Sequence, residues 1–361
     1  MTFPLVSIVT PFYNSAETLA ECIESVLRQT HSNWEYILVD NQSTDGSGRI
    51  AQEYVSRFPG KIRLIRTPAF LSQVQNYNFA LAAISPVSTY CKIVQADDWI
   101  FPECLERMVA LAETDPSIGL VSSHFLRGNH LSSHVEGHGL SFDRSVIPGK
   151  EIGRLQLLGS LYVFGSPTVV LYRSEVVRAA SPFYDERTLH DDTDAHYRIL
   201  QKWNFGFVHQ VLSFLRLDRS SIRGRVLDFH PDILDRLLQV SKFGSVYLRP
   251  DEHFRLSREV FSSYYEFLAR RRLAGAPKQF WEYHIAGLHS GGLELGTSRL
   301  WKCFFFELLR LLVNPGSALE SVWRRIRVSS EVTIQSSTEM TPYEVPAKEP
   351  AVTRPPSDAV G

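Results

Sequence analysis

Apolar residues along the first 125 positions follow two periods in turn. Residues 6–10 (VSIVT) and 34–39 (WEYILV) are short β-favouring runs with the length of buried strands. Between them Leu19, Ile23, Val26 and Leu27 recur at helical spacing. The preceding Asn14-Ser15-Ala16-Glu17 has the spacing of a capping box, so a helix is predicted to start there. After the polar loop 40–47, with its Asp45-Gly46 turn, Ile50, Tyr54, Val55 and Phe58 mark a second helix. The pattern then predicts a strand near 61–66, a helix near 72–84, and a strand that starts at Tyr90 and leads into Asp97. A helix follows Pro102, with Leu105, Met108, Val109 and Ala112 on its apolar face, and residues 119–123 supply a fifth strand.

Strand and helix alternating in this way call for an α/β fold, a mostly parallel sheet with helices on both faces. No G-x-G-x-x-G and no G-x-x-x-x-G-K-[ST] follows a strand, which excludes a dinucleotide dehydrogenase and a P-loop phosphotransferase. Residues 126–160 are less regular and read as a loop over the mouth of a site. His130, His134 and His138 fall four apart, close after His124, but Gly128, Gly137 and Gly139 argue for loop over a metal-binding helix face. From about 229 to 327 the text turns helical and aromatic. The Ser-, Thr-, Glu- and Pro-rich end reads as a disordered tail. Three segments are expected: 1–225, the α/β domain; 226–330, a helical extension; and 331–361, the tail.

Charge narrows the partners. The 38 Lys and Arg residues are balanced by 39 Asp and Glu residues, so a net charge of −1 gives no electrostatic case for nucleic acid. The four cysteines, Cys22, Cys91, Cys104 and Cys303, are scattered and read as buried thiols of a reducing compartment. The amino terminus shows no secretory pattern, and residues 300–313 are too short and too interrupted to span a bilayer, so a cytoplasmic protein is expected.

Two adjacent carboxylates, Asp97 and Asp98, stand where the fourth strand should end. Core packing does not account for them. In an open α/β sheet that edge binds ligands, and paired carboxylates suit a hard divalent cation serving a phosphate-bearing substrate. A charged start to the following helix is the structural alternative.

Residues 6–14 (VSIVTPFYN), 25–30 (SVLRQT) and 35–47 (EYILVDNQSTDGS), in that order, resemble the amino-terminal half of the family 2 glycosyltransferases. Asp97-Asp98 stands where that family places its metal-binding DxD, and the resemblance covers about residues 4–225. It implies a GT-A type, Rossmann-like fold and inverting transfer from a nucleotide-diphosphate sugar, UDP- or dTDP-linked, to a hydroxyl of a saccharide or lipid-linked acceptor in surface polysaccharide or glycan synthesis. By the resemblance, Asp97 would ligate Mg²⁺ or Mn²⁺, and Asp98 would support the metal or the sugar. Gln95 stands where the family often has an acid, leaving an amide to meet ribose or ligate through its carbonyl.

Asp40 would accept the imide N–H of a uracil or thymine, or else form an Asx-turn. Pro11 and Tyr13 would wall the base, and Glu17 is either a base contact or a cap. Residues 189–198 (LHDDTDAHYR) resemble the family's acidic motif, with Asp192 at the catalytic base and Asp191 beside it, whose charge tends to raise a carboxylate pKa. A solvated helix start is the alternative. Residues 164–168 (FGSPT) with Tyr172 and Arg173 resemble an acceptor-side loop and strand. Arg216 is read as a pyrophosphate contact or a surface arginine.

Two further alternatives stay open. The stripe over 300–327, with Arg324, Arg325 and Arg327, is either a peripheral contact with the inner face of a membrane or packed core. Gln95 leaves room for a non-catalytic nucleotide-sugar binding or assembly module. A nucleotidyltransferase is excluded by the missing phosphate loop.

Overall fold

A computed structural model describes residues 3–129, 131–186, 191–217 and 229–313. The strands are β1 (Val6–Phe12), β2 (Trp34–Asp40), β3 (Ile62–Arg66), β4 (Tyr90–Ile93), β5 (Trp99–Ile100), β6 (Ile118–Gly128), β7 (Ser133–Glu136), β8 (Val146–Ile147), β9 (Leu171–Arg173) and β10 (Asn204–Arg216). They form one sheet in the order β3-β2-β1-β4-β9-β6-β10-β5, with β7 beside β6 and β8 beside β10. β3, β2, β1 and β4 are mutually parallel, as are β6 and β10, while β9 runs antiparallel between β4 and β6. The sheet is therefore mixed but dominated by parallel pairs, as the alternating pattern predicts.

Helices α1 (Leu19–Leu27), α2 (Ser47–Arg57) and α4 (Cys104–Ala112) cover one face, and α3 (Gln73–Ala82), α5 (Gly149–Leu157) and α7 (Asp191–Leu200) the other. The strand period of two makes this division. In β2, Tyr36 and Leu38 pack with Leu19, Ile23, Leu105 and Met108, while Ile37 and Val39 pack with Tyr77, Leu81 and Leu200. A short helix α6 (Ser174–Arg178) follows β9, and a 3₁₀ turn (Pro167–Val169) precedes it. Gly165 enters that turn at φ 63°, and a Cβ there would meet Val169 at 2.7 Å, so the chain uses glycine.

The helices that follow are α8 (Pro231–Tyr247), α9 (Pro250–Leu273), α10 (Lys278–Ser290) and α11 (Thr297–Val313). Val240, Phe243 and Tyr247 of α8 join the core under α3 and α7. Its Leu234 and Leu237 join a separate core with Tyr264, Phe267, Leu268, Phe280 and Leu288. A Cβ on Gly153 would come within 2.3 Å of the Tyr247 ring, so α5 and α8 pack closely only because this position is bare. The chain divides into compact units 1–304 and 305–361, and only residues 305–313 of the second are described.

Two readings change. No capping box forms at residues 14–17, and α1 starts at Leu19 after Thr18, whose side chain makes no cap hydrogen bond. The Asn14 backbone turns left-handed at φ 48°, and its Oδ1 accepts from Thr44 N–H at 2.8 Å. Ser15 N–H donates to Ser47 Oγ and Ala16 N–H to Asp45 Oδ2, each at 2.8 Å. The two loops stitch to each other, which uses the groups a cap would need. A capping box does form at Ser72 and Gln75, opening α3.

Residues 126–160 are not one loop: β6 runs on to Gly128, and β7, β8 and α5 follow. Among the described residues no three His, Cys, Asp or Glu side chains converge as a metal centre, and His134 instead contacts Glu136 at 2.9 Å. His130, Arg324, Arg325, Arg327 and the expected tail lie outside the described residues.

Candidate active site

The parallel strands end together along one edge of the sheet. Register places Phe12 beside Asp40 and Asp40 beside Arg66. Asp40 is 4% exposed, and its Oδ1 accepts from Ser43 N–H, three residues on, at 2.8 Å, a cap-like contact at the strand end. Its Oδ2 lies 3.9 Å from Arg66 Nε and 3.0 Å from where a Cβ on Gly48 would sit. Glycine therefore lets α2 begin tight against the carboxylate, and Oδ2 keeps a cationic neighbour.

Tyr13 is exposed and meets the exposed Phe70 edge to face, ring centroids 4.9 Å apart. Pro11 is buried in β1 opposite Val39, so it backs the site without forming its wall. Beyond it the exposed aromatic pair is Tyr13 with Phe70, a residue the pattern did not single out. Glu17 is exposed and makes no hydrogen bond among the described residues.

The carboxylates after β4 divide. Asp98 is 4% exposed: its Oδ2 accepts from Thr168 Oγ1 at 2.6 Å and its Oδ1 from Arg216 N–H at 3.0 Å. Burial, then the charge of Asp97, pushes its carboxyl up to about 8. Asp98 thus ties the end of β4 to β10 and to the 3₁₀ turn, and both its oxygens are occupied. Thr168 Oγ1 also accepts from Gln95 N–H at 3.0 Å. Lys92, fully buried and held below its usual pKa by that burial, donates to Thr168 O at 2.6 Å.

Asp97 is half-buried, and its backbone oxygen accepts from Arg216 Nε at 3.0 Å. The same guanidinium meets Glu21 at 2.5 Å and lies over Trp99, 5.4 Å from the ring centroid. Arg216 therefore braces the Asp97 segment, whichever of its two sequence readings, pyrophosphate contact or surface arginine, applies.

Gln95 Nε2 donates to Tyr77 Oη at 2.7 Å, which orients its amide toward α3. Tyr77 packs edge to face on Tyr184 at 5.9 Å, Tyr184 Oη lies 3.4 Å from Tyr172 Oη, and Tyr172 Oη lies 2.7 Å from His196 Nε2. This buried wall runs from the end of β4 to the start of α7, where Asp191 and Asp192 stand. Burial raises the Tyr77 phenol far above its usual value, and Asp97 and then Asp191 add to it. The two carboxylate groups, almost 100 residues apart in sequence, thus act on one phenol.

Burial, then Asp192, pushes Asp191 up to about 7. Asp192 Oδ1 accepts from Thr193 N–H at 2.7 Å. Asp194 is a structural anchor: it accepts from Arg198 Nε at 2.9 Å and pairs with Lys242 of α8.

Residues 7–179 match the family model described as Glycosyl transferase family 2. The chain carries a family 2 glycosyltransferase domain. EpsE of Bacillus subtilis (strain 168) is 39% identical over 110 residues, which span 30% of this chain and 39% of EpsE. The S. aureus TarS crystal structure (residues 1–349) superposes with a TM-score of 0.56 at 16% identity, covering 79% of each chain. PcManGT, a mannosyltransferase from Pyrobaculum calidifontis, superposes at 0.51 with 15% identity, covering 84% of this chain and 88% of its own. At these identities the two structures establish the GT-A type fold. The matched family segment contains Asp40 and Asp97 but ends before Asp191 and Asp192.

Asp97, half-buried just after β4, is the carboxylate that would meet a cation, and among the described residues no three His, Cys, Asp or Glu side chains converge there. Mg²⁺ and Mn²⁺ fit such a partial set, since Mg²⁺ keeps waters and takes substrate phosphates alongside one or two carboxylates. Thr168 and Tyr172 fall in the stretch read as an acceptor-side loop and strand, whereas Tyr77, Tyr184, Phe70 and the role of His196 were not singled out from sequence. They lie on segments whose local pattern reads as core, and only the sheet order brings them to this edge.

Proposed function

We propose that this chain is an inverting glycosyltransferase that moves a sugar from a nucleotide-diphosphate donor, UDP- or dTDP-linked, to a hydroxyl of a saccharide or lipid-linked acceptor in glycan synthesis. The observation that carries the reading is the buried wall from Gln95 and Tyr77 at the end of β4 through Tyr184 and Tyr172 to His196 of α7, with the charges of Asp97 and Asp191 both reaching Tyr77. It supports a donor side and an acceptor side facing a common wall. TarS structures with UDP and with UDP-GlcNAc, and PcManGT with GDP-Man and Mn²⁺, support a nucleotide-sugar donor.

In this reading Tyr13 and Phe70 flank the base, and Asp40 Oδ2 meets an imide N–H. Asp97 would hold Mg²⁺ or Mn²⁺, which when bound offsets the pyrophosphate charge. Asp98 keeps Asp97 and Gln95 in place through Thr168. The Asp191–Asp192 pair takes the proton of the attacking hydroxyl, and a carboxyl near 7 is matched to that task at neutral pH. With the two carboxylates adjacent, the proton belongs to the pair, and Asp192 is the member the acidic motif assigns to the base. Asp192→Asn should abolish transfer while leaving donor binding intact; unchanged transfer would refute the assignment.

The exposed apolar residues Phe305, Phe306, Leu309, Leu312 and Val313 support peripheral membrane contact for a protein acting at the cytoplasmic face. Among the described residues no helix is long and apolar enough to cross a membrane.

A further inference from the structure

Behind the Asp191–Asp192 pair lies a buried histidine that the transfer described above does not use. His196 is 0% exposed and stands four residues after Asp192 on α7, so the two side chains share one helix face. Its Nε2 lies 2.7 Å from Tyr172 Oη, which in turn lies 3.4 Å from Tyr184 Oη. Phe164 packs edge-on against the ring at 5.2 Å. Its Nδ1 is buried with no hydrogen-bond partner. Such an orphan is uncommon in a folded interior and calls for a reason.

Burial holds the imidazole neutral, pushing its pKa down to about 4; Asp192 opposes that shift and Arg198 adds to it. A neutral imidazole has one donor and one acceptor nitrogen. If Tyr172 donates to Nε2, the proton lies on Nδ1, the orphan. Tyr184 can then donate to the Tyr172 oxygen, and every O–H and N–H along the chain points toward α7. Asp192 Oδ1 is occupied by Thr193 N–H, so Oδ2 is the oxygen left for Nδ1; the two form no hydrogen bond in this structure, but the charge of Asp192 already reaches the ring.

We propose that His196, as its Nδ1–H tautomer set by Tyr172, is a positioning residue that donates to Asp192 and holds the carboxylate oriented for the acceptor hydroxyl. The inference rests on Asp192 as base. The other charged or titratable groups facing this network are Asp191 and Arg198 of α7, Cys91 of β4, and the phenols of Tyr172 and Tyr184.

Two measurements test it. In the ¹⁵N NMR spectrum of the full chain, His196 should show the Nδ1–H tautomer, and Asp192→Asn should shift its Nδ1 resonance. An Nε2–H tautomer, or no response to Asp192→Asn, overturns the proposal whatever the enzyme's substrate. In turnover, His196→Leu should move the acid limb of kcat/KM upward by about one pH unit, with His196→Asn restoring much of it through an amide donor. A folded His196→Leu protein with an unmoved limb also overturns it. Absence of sugar transfer in the wild type would instead count against the proposed function, and the NMR result would still decide the tautomer.

Discussion

At the scale of single residues, the site separates carboxylates that work from carboxylates that hold. Asp98 and Asp194 each bind two partners from other parts of the chain or helix, whereas Asp97 and Asp191 bear together on Tyr77. Asp192→Asn should lower kcat by about 10²- to 10⁴-fold in a transfer assay, the usual worth of a positioned base. Thr168→Val leaves Asp98 Oδ2 and Gln95 N–H without a partner in a buried setting and should cost about 1–3 kcal/mol in denaturant unfolding.

The pH dependence follows from Asp191. Its folded-state value, raised from 3.8 to about 7, means the folded protein binds a proton through that window while the unfolded chain has released it. Stability from this group is therefore greatest at low pH and declines as pH rises toward 7. Asp191→Asn should gain stability relative to the wild type more at pH 8 than at pH 5 when urea midpoints are compared. An equal difference at both pH values would contradict the assignment.

At the scale of elements, the strands and helices of the first 125 residues were legible because their periods are clean and the sheet divides them into two cores. The capping box at residues 14–17 failed because Ser15 and Ala16 bond across to Ser47 and Asp45, a competition between loops that no local pattern reveals. Residues 126–160 were misread because β7 is a short exposed hairpin strand off β6, and β8 is two residues long and joins the sheet only by pairing with the distant β10. The aspartate motifs were visible because charge at a strand end or helix start stands out. Tyr77 and the role of His196 were hidden among apolar neighbours, since a buried hydroxyl or imidazole looks like core until its partner is placed.

The last described element also makes a prediction. Phe305, Phe306 and Leu309 are each more than half exposed, so the full chain should sediment with anionic vesicles. Phe305→Ser with Leu309→Ser should weaken that binding without changing transfer to a soluble acceptor. Equal sedimentation of the variant would remove membrane contact from the account.

At the scale of the whole molecule, the balanced charge and the parallel sheet edge point the same way, to a small anionic ligand held locally and not to a polyanion held broadly. The family match stops at residue 179, so in the proposed reading the acceptor side rests on the wall of tyrosines that runs from Tyr77 to α7. The most direct test is to measure donor binding by calorimetry with UDP and Mn²⁺, and sugar transfer from a nucleotide-sugar panel, for the wild type, Asp97→Ala and Asp192→Asn. The account predicts that Asp97→Ala loses both binding and transfer, while Asp192→Asn binds like the wild type and does not transfer. An Asp192→Asn protein that transfers sugar at the wild-type rate, or an Asp97→Ala protein that binds and transfers normally, would contradict it.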